Sequence, residues 1–244
     1  MPLENPEQQE YSEKERILQL EEEVKKLRVE NEQLREAATT DQLTNIFNRR
    51  GLEVAAKALF EQRKRSQKNS ENGEQRKPIG VLALDIDNFK IVNDAFKEGH
   101  PGGDRILWEA ADFLKGTVRG SDIVARTGGE EFVIVFNNAD AQDIYNKFFD
   151  HSEGRSRLSF VVELDGEKIP INFSGGISMF GPDETINDLD IVLSRADAAL
   201  YVAKEDEKTK GGVIRGRDRM LVYNEEMAGP KRTDSESTPS AVRH

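Results

Sequence analysis

The chain has 244 residues, enough for one full domain with appendages, and its 36% apolar and 33% charged residues leave part of it outside a compact core. A net charge of −11, from 35 basic and 46 acidic residues, excludes a general electrostatic grip on nucleic acid or anionic lipid and leaves room only for a local basic pocket. Without cysteine there is no disulfide, thiolate metal site or cysteine nucleophile, and His100, His151 and His244 are too scattered for a zinc cluster. No apolar run of about 18 residues is present to span a membrane, and no basic head with an apolar run opens the chain as in a secretory leader, so the expectation is a cytoplasmic protein.

Residues 1–11 are polar and read as a disordered N-terminus. From Ile17 an apolar heptad runs through Leu20, Val24, Leu27, Asn31, Leu34 and Ala38, in alternating steps of three and four. The stretch 12–38 is therefore predicted to be a helix that pairs in parallel with a second copy; the alternative is one solvated helix packed on its own domain. Asn31 falls at an a position, where a buried amide costs stability but favours a two-stranded register. Helical pattern is expected again after Thr40-Asp41, as an N-cap region, to about Arg65. A polar loop from Ser66 to Lys77 follows.

Pro78 precedes the apolar run Ile79–Leu84, which suits a buried strand and ends abruptly at Asp85-Ile86-Asp87. Leu107, Ala110, Ala111, Leu114 and Val118 recur at helical spacing after Gly103-Asp104. Two β-rich runs, Asp122–Thr127 and Phe132–Phe136, flank Gly128-Gly129-Glu130-Glu131 and predict a hairpin. A short helix is expected over Asp140–Asp150, strands over Leu158–Leu164 and Ile169–Ser178, and a helix through Leu189, Val192, Leu193, Ala196, Leu200 and Ala203. Beyond that the chain turns polar, and 216–244 reads as a flexible tail.

Two carboxylates ending a buried strand, as in Asp85-x-Asp87, sit where open α/β sheets present ligand groups and suit a hard divalent cation, although strand-end acids are common in any protein. Gly128 and Gly129 permit a tight turn and close ligand approach. Glu130 and Glu131 repel each other unless a cation lies nearby; an ordinary hairpin with solvated acids has the same look. Lys204 and Lys208, four apart, are expected on one face of the last helix with Asp197 and Tyr201, either as a phosphate grip or as a solvated charged face. Arg119-x-x-Asp122 carries a guanidinium able to grip guanine, in a pattern that is often structural.

Arg126-Thr127-Gly128-Gly129-Glu130-Glu131-Phe132 resembles the name-giving motif of GGDEF domains in its Glu variant. Three further segments agree in order. Thr40-Asp41-Gln42-Leu43-Thr44-Asn45-Ile46-Phe47-Asn48-Arg49-Arg50 is similar to the family's opening motif. Asp85-Ile86-Asp87-Asn88-Phe89-Lys90-x-x-Asn93-Asp94 and Gly99-His100-x-x-Gly103-Asp104 resemble its metal and guanine elements. The resemblance covers about Thr39 to Lys210. It implies an α/β (α+β) fold, a palm-like nucleotide-cyclase sheet flanked by helices, over residues 39–215 behind the coiled-coil helix. It also implies diguanylate cyclase activity: condensation of two GTP into cyclic di-GMP and two pyrophosphates, by a homodimer paired through the coiled coil.

By that resemblance Asp85, Glu130 and the Ile86 carbonyl would hold Mg²⁺ or Mn²⁺. Glu131 would support the metal or accept a proton. Asn93 and Asp104 would read guanine, Phe89 and Lys90 would lie beside the triphosphate, and Gly128 and Gly129 would let the hairpin approach the nucleotide. Lys204, with Lys208, would bind phosphate. Arg119 and Asp122 would form an inhibitory product site. The chain departs from the family pattern at Ala95-Phe96-Lys97-Glu98, two residues longer than usual. It departs again at Glu207-Lys208-Thr209, where Gly-Arg-Asn is usual, and over Asp140–Phe160, which aligns poorly. The rival reading is a catalytically inactive GGDEF domain that binds GTP or cyclic di-GMP and signals through its helix.

Overall fold

The structure, a computed structural model, describes residues 6–68, 77–95, 100–150, 155–164, 166–205, 207–209, 212–214 and 219–227. Helix α1 (Pro6–Thr39) has 34 residues, about 51 Å at 1.5 Å per residue. It starts ahead of the expected residue 12, so 6–11 are helical rather than disordered: proline is tolerated in a first turn, and Glu and Gln are good helix formers. None of the helices among the described residues is long and apolar enough to cross a membrane.

The chain then turns instead of continuing as helix. Asp41 N–H donates to the Ile46 carbonyl and Asn45 N–H to the Asp41 carbonyl, each at 2.8 Å. Asn45 takes a φ of 54°, a left-handed conformation that Asn tolerates and that ends a helix. The turn buries Ile46, which is 4% exposed. Helix α2 (Arg49–Lys68) therefore begins at Arg49, not after Thr40-Asp41. Its cap is Asn48, whose side-chain oxygen accepts from Gly51 N–H at 2.9 Å.

Next come β1 (Gly80–Ile86), α3 (Phe89–Ala95) and α4 (His100–Thr117), the last starting before the expected Gly103-Asp104. They are followed by β2 (Ile123–Arg126), β3 (Glu131–Phe136), α5 (Ala141–Phe148) and two short strands, β4 (Phe149–Asp150) and β5 (Arg155–Ser156). Then come β6 (Ser159–Leu164), β7 (Glu167–Met179), α6 (Leu189–Lys204), β8 (Glu207–Thr209), β9 (Gly212–Ile214) and β10 (Met220–Val222). The main sheet runs β10-β7-β1-β3-β2, with β6 also on β7; only the β10–β7 pair is parallel.

Alternation along β1 divides the core. Leu82, Leu84 and Ile86 face Ile106, Ala110 and Leu114 of α4 and Ile144 and Phe148 of α5. Val81 and Ala83 face Leu52, Ala56 and Leu59 of α2 and Val192, Ala196 and Leu200 of α6. Helix α6 lies directly on the β7 backbone: any Cβ at Gly176 would collide with the Ala196 carbonyl.

Two expectations are corrected at the C-terminal side. Helix α6 stops at Lys204, with Glu205 extended (φ −72°, ψ 139°), because the apolar stripe ends at Ala203 and a charged run follows. Lys208 sits in β8, paired with β9, and does not share a helix face with Lys204. The tail expected from 216 instead returns as β10: Gly175 N–H donates to the Arg219 carbonyl at 2.8 Å and Tyr223 N–H to the Ile177 carbonyl at 2.7 Å. Met220 is 1% exposed within the core. Residues 228–244 and the inserted 96–98 lie outside the described residues.

Candidate active site

Strand β1 delivers Asp85 to the α2/α6 side of the sheet, opposite Glu131 of β3 in register. Asp85 is 7% exposed. Lys204 Nζ stands 2.7 Å from Asp85 Oδ1. The ammonium supplies opposite charge but is not aligned as a hydrogen-bond donor, so this buried oxygen keeps an open direction. Asp87 is committed elsewhere: it accepts from Ser174 Oγ at 2.8 Å, and its N–H donates to the Asn172 carbonyl at 2.9 Å. Asn88 then takes a φ of 59°, which turns the chain into α3.

The turn between β2 and β3 is closed by Thr127 N–H donating to the Glu131 carbonyl at 3.0 Å, and tied to β1 by Ile86 N–H donating to the Glu130 carbonyl at 3.3 Å. Its two glycines do different jobs. A Cβ at Gly128 would collide with Glu131 Oε2, so that carboxylate folds back over Gly128, whereas Gly129 faces open space where a ligand can approach. Arg126 holds the turn from behind: Nε and Nη2 donate to the Gly129 carbonyl at 3.0 and 2.8 Å, and Nη1 donates to Asp41 Oδ1 at 3.0 Å. Burial, then the neighbouring charges of Asp85 and Glu131, push the Glu130 carboxyl above its ordinary range, against the opposing pull of Lys204. On α6, desolvation by the surrounding protein, then the charge of Glu131, push the Asp197 carboxyl upward with Arg49 opposing, an effect tempered by the exposure of this residue to solvent.

Asn93 and Gly103 meet closely, since a Cβ at Gly103 would collide with Asn93 Oδ1 and lie 3.4 Å from the Phe89 ring. Asn93 Oδ1 is buried without a hydrogen-bond partner, while neighbouring Asp104 and Lys90 are exposed. Phe89 packs on the core. Thus Asp85, Ile86, Glu130, Glu131, Gly128, Gly129 and Lys204 gather at one end of the sheet, with Phe89, Asn93 and Asp104 on the helices that follow β1.

Arg119 and Asp122 lie at the other end of β2, about 13 Å of strand away. Asp122 accepts from Arg119 N–H at 3.0 Å and from Asn137 N–H at 3.1 Å. Arg119 is exposed and borders two open cavities. One, of about 570 Å³, is lined by Lys77, Asn138 and Lys147; the other, of about 510 Å³, by Glu36, Phe47 and Lys115. Sequence reasoning read Asp41 only as part of an N-cap region, set Asp197 only on the helix face of Lys204, and gave Arg126 no role beyond its place in the motif. The signal for Arg126 and Asp41 was present, a lone Arg beside the glycines and a lone acid in the opening motif, but 85 residues separate them.

A sheet with helices on both faces, and acids at a glycine turn beside a strand-end aspartate, defines a nucleotide-cyclase-like domain. The family profile described as "Diguanylate cyclase, GGDEF domain" matches residues 38–210, and the chain belongs to this family. Diguanylate cyclase A of Treponema denticola is 30% identical over 186 residues, covering 75% of this chain and 46% of that protein. A diguanylate cyclase of Vibrio cholerae is 31% identical over 195 residues, covering 80% and 52%. The chain thus spans about half the length of the curated relatives it matches. Among solved structures, the coiled coil and GGDEF domain of DgcB from Caulobacter crescentus, in complex with c-di-GMP, superposes with a TM-score of 0.61 at 28% identity, covering 86% of this chain and 99% of that one.

Proposed function

We propose that this chain is an active diguanylate cyclase that joins two GTP molecules into cyclic di-GMP, with release of two pyrophosphates, as a homodimer. The observation that carries the reading is the buried Asp85 oxygen without a hydrogen-bond partner, set beside Glu130 and Lys204. A divalent cation, Mg²⁺ or Mn²⁺, would be held by Asp85, Glu130 and the Ile86 carbonyl. These donors fit: a cation would answer the open Asp85 oxygen, and would offset the burial and the neighbouring negative charge that raise Glu130. Among the described residues no three His, Cys, Asp or Glu side chains converge. A hard ion takes one or two carboxylates and completes its shell with water and phosphate. When bound, the ion polarises the α-phosphate and lowers the pKa of the attacking 3′-hydroxyl.

The chain's own residues bind and orient. Lys204, on one arm of an ion pair with Asp85, is a third exposed at its side chain (34%) and can turn its charge to an incoming phosphate. Gly129 leaves the turn open to the nucleotide. Asp104 would accept from guanine N1–H and N2–H₂, which adenine does not offer, with Asn93 beside it and Phe89 and Lys90 along the triphosphate. Glu131, folded against Gly128, supports the turn. Arg119 and Asp122 would hold the product and restrain the enzyme.

Dimerisation is supported by α1. Ile17, Leu20, Val24, Leu27 and Leu34 are 44–63% exposed, an apolar seam along a helix that meets the domain at its C-terminal end. Pairing two copies in parallel buries that seam and brings two GTP sites within reach of each other. Incubation of the protein with GTP or ATP, with and without Mg²⁺ or Mn²⁺, tests the reading. Cyclic di-GMP formed from GTP only when metal is present is the expected result; no dinucleotide under any condition sinks it and leaves the inactive binding module.

A further inference from the structure

Every large apolar side chain of α4 but one serves the core. Ile106, Leu107 and Leu114 lie within the core cluster on that side of the sheet, and Phe113 packs against it. The exception is Trp108, the single tryptophan of the chain, which is 53% exposed. An indole is among the largest apolar surfaces a side chain can bring to a contact, and here more than half of it meets water. Exposed apolar residues scattered singly are ordinary; Trp108 is set apart by where it stands.

It is one turn past Asp104 on the same row of α4, about 6 Å further along the axis and about 40° around it. Side chains on a helix lean toward its N-terminus, so the indole covers the surface over the Asp104 turn. The neighbouring row is occupied, because Arg105 Nε donates to Glu109 Oε1 at 2.9 Å. On the far side of Asp104, α3 comes so close to α4 that a Cβ at Gly103 would collide with Asn93 Oδ1. Among the described residues that oxygen is buried without a hydrogen-bond partner. The first turns of α4 therefore bring together an exposed carboxylate, an amide with unused capacity and a bare aromatic ring. A carboxylate and an amide recognise a base through its edge, and neither grips its faces. An aromatic ring grips a face, and does so for any base.

We infer that Trp108 is a substrate-binding residue that stacks on the purine of GTP while Asp104 and Asn93 read its edge. The inference deepens the cyclase reading and rests on it for the identity of the nucleotide. Stacking supplies affinity, and the polar pair supplies the choice of guanine over adenine. Removing the ring weakens binding without loosening that choice.

As the sole tryptophan, Trp108 reports its own contacts. Its emission in the full wild-type chain, titrated with GDP and Mg²⁺ so that no turnover is needed, is expected to fall by about half or more and to shift to the blue. ADP at the same concentrations should leave it nearly unchanged. In steady-state kinetics Trp108→Ala should raise KM for GTP about tenfold, with kcat within about twofold and the preference for GTP over ATP kept. Trp108→Phe, which restores a ring, should bring KM back to within about threefold of wild type. Emission that stays constant while calorimetry shows GDP bound overturns the inference, as does an unchanged KM in Trp108→Ala. Emission that follows protein dilution but not nucleotide also overturns it, by placing a second copy of the chain on the ring. Should Trp108→Ala fail to fold, the wild-type emission decides. Absence of cyclic di-GMP from the wild-type protein would refute the proposed function and leave the GDP titration to judge Trp108; GDP that does not bind at all removes the stacking role.

Discussion

A carboxylate buried at a strand end is costly unless something answers its charge, and at Asp85 the answer is one ammonium and one open direction. Asp85→Asn and Glu130→Gln keep shape while removing a metal donor, so each is expected to lower turnover at saturating Mg²⁺ by a factor of 100 or more, about 2.7 kcal/mol of barrier. Near-normal turnover in either would refute the metal set. Glu130 makes a second prediction. Its folded pKa is raised, so the folded chain holds this proton more tightly than the unfolded one. The resulting contribution to stability is present in acid and is withdrawn as pH rises from the ordinary glutamate value of 4.5 through the raised one. Metal-free Glu130→Gln should therefore melt higher than wild type at neutral pH, with the gap closing in acid. Thermal melts across that range check the sign, and a wild type that melts higher at pH 7 contradicts it. At the distal pair, Arg119→Ala should abolish inhibition by added cyclic di-GMP without lowering the initial rate; superimposable inhibition curves would remove that site. Asp85 and Glu130 were visible in the sequence as acids at a strand end and a glycine turn, but only the resemblance to the family singled them out from ordinary ones. The grip of Arg126 on Asp41 was not, because only the fold brings those two together.

Among the elements, β1, the β2–β3 hairpin and the β6–β7 pair followed directly from apolar runs punctuated by glycine and acids. Several boundaries did not. The start of α2 was misplaced because Leu43 and Ile46 mimic a helical stripe, while Asn45 at positive φ breaks it. Lys208 was read onto α6 because spacing alone cannot show that the helix has lost its apolar footing after Ala203. The last strand was missed because Met220-Leu221-Val222 is too short to declare itself among polar neighbours; it forms because the edge of β7 offers unpaired backbone groups. Because Met220 is buried against the core, Met220→Ala should cost about 2–5 kcal/mol, measurable by urea unfolding; a change below 0.5 kcal/mol would mean that β10 is dispensable.

For the whole molecule, the exposed seam of α1 and the need of the reaction for two GTP molecules point to the same assembly. Three heptads interrupted by Asn31 would make a marginal coiled coil, so the proposed association should depend on concentration and activity per subunit should rise with it. Leu27→Glu, in the middle of the seam, should shift sedimentation toward monomer and lower specific activity in parallel. The most direct measurement takes the wild-type full chain through a dilution series with GTP and Mg²⁺, following cyclic di-GMP, pyrophosphate and sedimentation in the same samples. The expected result is two pyrophosphates for every cyclic di-GMP and a specific activity that tracks the dimer fraction. Pyrophosphate without cyclic di-GMP, or full activity from a monomer at every concentration, would contradict a cyclase that works as a pair.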